Sequence, residues 1–128
     1  MCKMTKIKTN FNEEINVADI KHKHISNIIK HAENCKSIAE IILFGSSTEE
    51  RCTSSSDIDS AIISDKTVTE LDKLSSFKKV IYNIYSFDTT QEYDRLYFKS
   101  YDEIEKNKEN VPICKEIIQK GKRIYRRL

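Results

Sequence analysis

The sequence predicts a mixed α/β domain in which helices flank a small central sheet. The apolar runs over residues 38–44 and 57–63 have the length and composition of buried strands. Segments such as 17–34 carry apolar residues at the spacing of three and four that amphipathic helices require. The chain has 128 residues, 38% of them hydrophobic and 33% charged, so we expect residues 1–128 to form one folded domain.

Each predicted element rests on a local pattern. Helices are assigned where apolar residues recur every three or four positions, and strands where β-branched and aromatic residues cluster. The resulting order is a polar arm over residues 1–16 with a short strand near 6–11, a helix over 17–34, a strand over 38–44, a short helix over 46–51, a loop over 53–56, a strand over 57–63, a helix over 68–79, a strand over 80–87 and a helix over 91–108. Pro112 begins a last helix that ends at Gly121, and a short segment over 123–127 follows.

Charge and composition exclude several classes of protein. The 22 basic and 20 acidic side chains leave a net charge of +2, which predicts no strong attraction to nucleic acid or to a membrane. Four cysteines, at positions 2, 35, 52 and 114, form no C-x-x-C pair of a zinc ribbon or a thioredoxin motif. We find neither a signal-peptide pattern nor a membrane-spanning run, and we expect a cytoplasmic protein with free thiols.

The most informative feature is a pair of acidic residues that follows a Gly-Ser turn. The first predicted strand ends at Gly45 and Ser46, ten residues follow, and Asp57 and Asp59 open the next strand. Residues two apart on a strand point to the same face, so the two carboxylates converge beside the turn. Either half alone is a common turn sequence. Together they predict a site for Mg²⁺ and a nucleotide, because Mg²⁺ prefers carboxylate and phosphate oxygens.

This pattern resembles the minimal nucleotidyltransferases of the DNA polymerase β superfamily. The matching features are an apolar residue, Gly-Ser, about ten residues and Asp-x-Asp within a strand. The resemblance implies a nucleotidyltransferase-like fold with ATP as a substrate. It also implies that Gly45, Ser46 and Ser47 bind the nucleotide triphosphate. Asp57 and Asp59 are then the catalytic residues and the ligands of Mg²⁺.

Two positions depart from the family pattern. Members of the family usually carry a third carboxylate on the next strand, and the predicted strand over 80–87 places Asn83 there, with Asp88 as the alternative. Many relatives also follow Gly-Ser with an arginine that binds phosphate, where this chain has Ser47. Arg51 lies a few residues further along and could partly replace it. Nucleotide binding is therefore expected, and catalysis depends on which residue takes the third place.

The resemblance implies an enzyme that transfers a nucleoside monophosphate, AMP from ATP, to a hydroxyl. Small bacterial members with this signature commonly act as antitoxins that adenylylate a HEPN-type toxin on tyrosine. The implied partner is therefore a HEPN-type toxin, and a homodimer is the other source of acceptor contacts. Two alternatives stay open. One is a catalytically degenerate binding module of the same fold, which Asn83 favours, and the other is an enzyme that modifies an antibiotic hydroxyl.

Overall fold

The computed structural model describes all 128 residues, and it confirms the mixed α/β fold class. Helices flank a mixed four-stranded sheet, and a separate hairpin precedes them. The elements in order are β1 (Met4–Lys8), β2 (Glu14–Ala18), a 3₁₀ turn (Asp19–Lys21), α1 (His22–Ala32), β3 (Glu40–Phe44), a second 3₁₀ turn (Gly45–Thr48), β4 (Ile58–Ile63), α2 (Val68–Lys73), α3 (Ser75–Phe87), β5 (Tyr93–Phe98), α4 (Tyr101–Lys106), α5 (Pro112–Lys120) and β6 (Lys122–Arg126).

The central sheet has the strand order β5-β4-β3-β6. Strand β3 pairs antiparallel with both β4 and β6, whereas β4 pairs parallel with β5. A parallel pair needs a long crossover, and α2 and α3 supply it. Strand β5 is consequently an edge strand, and its side chains lie at an open side of the sheet.

The two faces of the sheet contribute to cores of unequal size. One face joins a cluster of 17 buried residues with α1, α3 and the hairpin, and the other joins a cluster of seven with α4 and α5. Because side chains alternate along a strand, Ile58 and Ile62 of β4 belong to the larger core and Ala61 and Ile63 to the smaller. Asp59 has the parity of Ala61 and therefore lies on the face with the smaller core.

The segment over residues 80–87 is helical, so the predicted third strand is wrong. It forms the larger part of α3, in which Phe77, Val80 and Ile84 are buried. The run is rich in isoleucine and tyrosine, which favours a strand, yet its buried residues are spaced three and four apart. The packing of one helical face against the sheet thus outweighs the local β-propensity. The predicted helix over 68–79 is accordingly divided between α2 and the start of α3.

The predicted helix over residues 91–108 is wrong in its first part. Tyr93–Phe98 form β5, and only Tyr101–Lys106 are helical. Tyr93 and Tyr97 pack against the larger core, whereas Leu96 and Phe98 pack against the smaller. A strand with apolar residues on both faces lacks the alternation of polar and apolar residues by which strands are recognised, and its spacing can be mistaken for that of a helix.

The N-terminal residues are more ordered than the predicted polar arm. Strands β1 and β2 pair antiparallel over five residues each, and Asn12 with a φ of 64° lies in the turn between them. Ile7 and Val17 are buried in the larger core. Helix α1 therefore begins at His22, and the predicted start at residue 17 is wrong because Val17 belongs to β2.

Several other sequence-based expectations about the fold agree with the structure. Strands β3 and β4 lie within the predicted ranges, and Pro112 and Gly121 mark the two ends of α5. The last predicted segment pairs with β3 as β6. All four cysteines are free. None of the helices combines the length and the hydropathy needed to cross a bilayer.

Candidate nucleotide and metal site

Gly45 stands at the point where β3 meets the second 3₁₀ turn. Its φ of 74° lies in the left-handed region, which only glycine adopts without strain. A Cβ placed on Gly45 would also overlap the Oδ2 atom of Asp59. The contact follows from the sheet register, because Phe44, directly before the glycine, pairs with Asp59 across β3 and β4. The chain therefore needs glycine here both for its backbone and for the close approach of a carboxylate.

The predicted short helix over 46–51 is a single 3₁₀ turn that ends at Thr48. Thr48 closes it by donating its hydroxyl to the carbonyl oxygen of Gly45 over 2.8 Å. The amide of Ser46 has no acceptor within such a turn, because the i→i+3 hydrogen bonds of a turn that begins at Gly45 start with the amide of Ser47. The side chain of Ser47 is fully buried, yet its Oγ has no hydrogen-bond partner. Buried hydroxyls are normally paired, so this atom is suited to a ligand that reaches the turn.

Three carboxyl groups converge beside this turn: Asp57, Asp59 and Asp94. Asp59 pairs with Asp94 in the parallel register of β4 and β5, so both side chains project from the same face. Asp57 precedes the first residue of β4 and is half-buried, as is Asp59, whereas Asp94 is exposed on the edge strand. The side chains of Asp57 and Asp59 are each within hydrogen-bonding range of Asp94. We call these three residues the acidic cluster.

The negative charge of the acidic cluster is not balanced by neighbouring basic side chains. Burial, followed by the carboxyl of Asp94 and the charge of Asp57, raises the pKa of Asp59 to about 6. Partial removal from water, followed by Asp94, also raises the pKa of Asp57. None of the three carboxylates forms an ion pair with a basic side chain. Closely spaced carboxylates repel one another, and a divalent metal ion bound between them offsets this repulsion.

The structure removes both predicted candidates for the third carboxylate. Asn83 lies on α3, where its backbone oxygen accepts a hydrogen bond from the Nδ2 of Asn27 over 3.3 Å. Asp88 follows α3 and binds the ring of His24 over 2.9 Å and the hydroxyl of Thr90 over 2.6 Å. The hydrogen bonds from Thr90 and His24 lower the pKa of Asp88 to about 2. Neither residue belongs to the acidic cluster.

Asp94 is the site residue that the sequence analysis missed. The next strand does carry a carboxylate, but that strand is β5 and not the segment over 80–87. The available signal was a single aspartate inside a short aromatic run, Tyr93-Asp-Arg-Leu-Tyr-Phe98, that can be assigned to a strand. Only the parallel register of β4 and β5 sets Asp94 opposite Asp59, and register is a tertiary property.

Several charged side chains surround the 3₁₀ turn. Arg51 donates its Nε to Glu49 over 2.8 Å, and this hydrogen bond is the main reason why the pKa of Glu49 is lowered. Lys120 and Lys122 contribute further positive charge near Glu49, and burial lowers the pKa of Lys122. Arg51, considered above as a substitute for the missing phosphate-binding arginine, is thus already paired. The C-terminal lysines add positive charge on this side of the turn.

The donor set fits a divalent cation that is shared with a nucleotide. No group of three or more His, Cys, Asp or Glu side chains is arranged so that it could hold a metal ion by itself. Mg²⁺ seldom needs such a group, because it binds one or two carboxylates together with water and substrate phosphates. Asp57 and Asp59 would supply the carboxylates, and the unpaired Ser47 hydroxyl lies in the adjoining turn.

Comparison with known protein families identifies the family of this chain. A family described as "Polymerase beta, Nucleotidyltransferase" matches residues 23–128, which include both 3₁₀-turn serines and the whole acidic cluster. The matched range leaves out the hairpin of β1 and β2 and the first 3₁₀ turn. No curated protein matches the chain.

Proposed function

Because the chain belongs to the polymerase β nucleotidyltransferase family, we propose that it transfers AMP from ATP to a hydroxyl of a partner protein, with Mg²⁺ as cofactor. Membership of the family indicates nucleotidyl transfer in general. The observation that supports catalysis by this chain is the convergence of Asp57, Asp59 and Asp94 beside Gly45. The choice of ATP, of AMP and of a protein acceptor is part of the proposal and rests on the resemblance described above.

The 3₁₀ turn holds the triphosphate. Gly45 has no Cβ, so phosphate oxygens can approach the backbone beside Asp59. The amide of Ser46 donates to those oxygens, and the buried Ser47 hydroxyl gains the partner that it lacks in the free protein. Since the turn has only four residues, individual hydrogen bonds carry the binding, and a helix dipole contributes little.

The acidic cluster performs the chemistry. Asp57 and Asp59 hold Mg²⁺, which when bound offsets the negative charge of the α-phosphate and the leaving pyrophosphate. Asp94 is exposed on the edge strand, where an acceptor can reach it, and takes the proton of the attacking hydroxyl. The acceptor oxygen bonds to the α-phosphorus, the bond from that phosphorus to the bridging oxygen breaks, and pyrophosphate leaves.

The acceptor is a hydroxyl on a partner protein of the HEPN toxin class. The support is the resemblance to small antitoxin-type members of the family, together with the open position of Asp94. A homodimer could supply acceptor contacts instead, in which case a second copy of this chain takes the place of the toxin. Modification of an antibiotic hydroxyl uses the same chemistry, and no observation on this structure favours it.

A catalytically degenerate binding module was the other function left open by the sequence. That alternative depended on Asn83 in the place of the third carboxylate. Asn83 lies on α3, and Asp94 stands opposite Asp59, so the feature that favoured degeneracy is gone. We therefore propose a catalytically active nucleotidyltransferase and not a binding module.

Label transfer tests the proposal. The chain is incubated with ATP labelled at the α-phosphate, Mg²⁺ and a HEPN-type toxin as the acceptor. We expect label on the partner, and a loss of about a hundredfold or more in Asp57→Ala, Asp59→Ala and Asp94→Asn, because each removes charge at the reacting phosphate or the proton acceptor. A matched control is Asp65→Asn, an exposed carboxylate after β4 that should leave the rate unchanged.

Binding measured without an acceptor separates the steps. Calorimetry with a non-hydrolysable ATP analogue and Mg²⁺ should show binding that depends on the metal and that weakens in Asp59→Ala. Comparing the four nucleotides determines the base. Binding that is equal in wild type and Asp59→Ala, or that needs no divalent cation, would contradict the proposed site.

A further inference from the structure

Lys21 is a buried cation with no ionic partner. It ends the first 3₁₀ turn, directly before α1, and only 1% of its surface is exposed. Its Nζ donates to the backbone oxygen of Ser54 over 3.2 Å and to the Oε1 of Gln91 over 2.5 Å. Both acceptors are neutral. Lysines are almost never fully buried without a charged partner, because removing the ammonium group from water is costly. The free-energy cost of burying Lys21 suggests that its side chain has a specific function in this protein.

Gln91 extends the contact to both strands that carry the acidic cluster. It is 8% exposed, and its Nε2 donates to the backbone oxygen of Ser56 over 3.0 Å and to that of Glu92 over 2.7 Å. Ser56 directly precedes Asp57, and Glu92 lies two residues before Asp94. A backbone hydrogen bond from Ile58 to Glu92, 3.0 Å long, joins the same two segments.

Lys21 and Gln91 together fix the loop from which Asp57 projects. This loop, Thr53 to Ser56, is otherwise held mainly by its own hydroxyl groups, which are exposed. The Lys21 and Gln91 side chains bind it at Ser54 and Ser56 from inside the protein. Lys21 also places a positive charge near Asp57.

We propose that Lys21 and Gln91 are positioning residues of the metal site, which hold the segments before Asp57 and Asp94 together so that the two carboxylates face one point. The inference rests on the proposed function, since it assigns a task at the same site. It goes beyond the family, because Lys21 lies outside the matched residues 23–128. Positioning residues behind the ligands of a metal commonly change its affinity by a factor of ten or more.

Manganese binding, followed by electron paramagnetic resonance, tests the inference on the full-length protein. Mn²⁺ replaces Mg²⁺, and the variant is Lys21→Met, which keeps most of the side-chain volume. We expect about tenfold weaker Mn²⁺ binding. A purely electrostatic role predicts the opposite sign, since removing a cation near a divalent site tightens binding. The matched control is Lys23→Met, the same change at an exposed position two residues away, which should leave Mn²⁺ affinity unchanged.

Gln91→Glu is a second variant that separates a positioning role from a purely electrostatic one. It keeps an acceptor for Lys21 but loses the Nε2 donor to Ser56, and its added negative charge would tighten Mn²⁺ binding if only charge mattered. We expect weaker binding, together with faster hydrogen exchange of the amides over residues 53–58. Binding as tight as in wild type, or tighter, overturns the inference, and Gln91→Glu decides if Lys21→Met fails to fold. A wild type that binds no Mn²⁺ overturns the proposed function and this inference with it.

Discussion

The close approach of the Asp59 carboxylate to Gly45 brings the acidic cluster against the second 3₁₀ turn. A side chain at position 45 would be strained in the left-handed region and would meet Asp59 Oδ2. We expect Gly45→Ala to lower the free energy of unfolding by about 1–3 kcal/mol, measured by urea denaturation. In an Asp59→Ala background the overlap is relieved and only backbone strain is left, so the same change should cost less. An equal cost in both backgrounds would contradict the close approach.

Asp59 also makes the stability of the metal-free protein depend on pH. Its pKa is raised to about 6 in the folded state, from the ordinary value of 3.8 for an aspartate. Its protonated form therefore stabilises the fold fully below about pH 4, and that contribution is lost as the pH rises through about 6.

We expect Asp59→Asn to stabilise the metal-free protein at pH 8, by on the order of 1 kcal/mol after allowing for solvent screening at a half-buried group. Near pH 4 the gain should vanish. Thermal unfolding at the two values of pH measures the difference, which corresponds to about 3 °C at pH 8. Mg²⁺ should raise the melting temperature of wild type more than that of the variant. A gain in stability that is the same at both pH values would argue against the assigned titration.

At the scale of the elements, the identity of α3 and β5 decides which carboxylate completes the site. Asn83 lies on α3, whereas Asp94 stands opposite Asp59. We expect Asn83→Asp to leave Mn²⁺ affinity and label transfer unchanged, since it adds charge away from the cluster. Asp94→Asn should abolish transfer while reducing Mn²⁺ affinity to a smaller extent. If Asn83→Asp tightened Mn²⁺ binding, the assignment of the third carboxylate would have to be reconsidered.

The same two elements mark the limit of sequence reasoning. The Gly-Ser turn and the Asp-x-Asp strand could be identified because both are local patterns with apolar strands beside them. A strand was predicted over residues 80–87 because isoleucine and tyrosine favour strands. The segment is helical because Phe77, Val80 and Ile84 form one buried face of α3. Asp94 depended on the pairing of β4 with β5 across some thirty residues of sequence, and no local pattern specifies that register.

At the scale of the whole molecule, the N-terminal hairpin lies outside the family match but is part of the core. Ile7 is 5% exposed and Val17 is fully buried, both in the larger cluster. Lys122 also donates its Nζ to the backbone of Asn16 over 2.6 Å, which joins the hairpin to β6.

We expect Ile7→Ala to lower the free energy of unfolding by about 2–4 kcal/mol, because it removes buried methyl groups and leaves a cavity. The control is Ile20→Ala, the same change at a side chain that is 43% exposed, which should cost about 0.5 kcal/mol or less. Denaturant unfolding measures both. Similar costs for the two would mean that the hairpin is not an integral part of the fold.

The alternation of side chains along β4 has a consequence for how this protein can diverge. Asp59 and the residues of the larger core leave the same strand in opposite directions, so the proposed site lies on the face with the smaller core and most of the buried apolar side chains lie on the other. Substitutions in the thinner layer, around α4 and α5, can reshape what approaches Asp94 without disturbing the thicker one. A library randomised in that layer should therefore yield many folded variants with altered acceptor choice, whereas the same diversity placed behind the sheet should yield few.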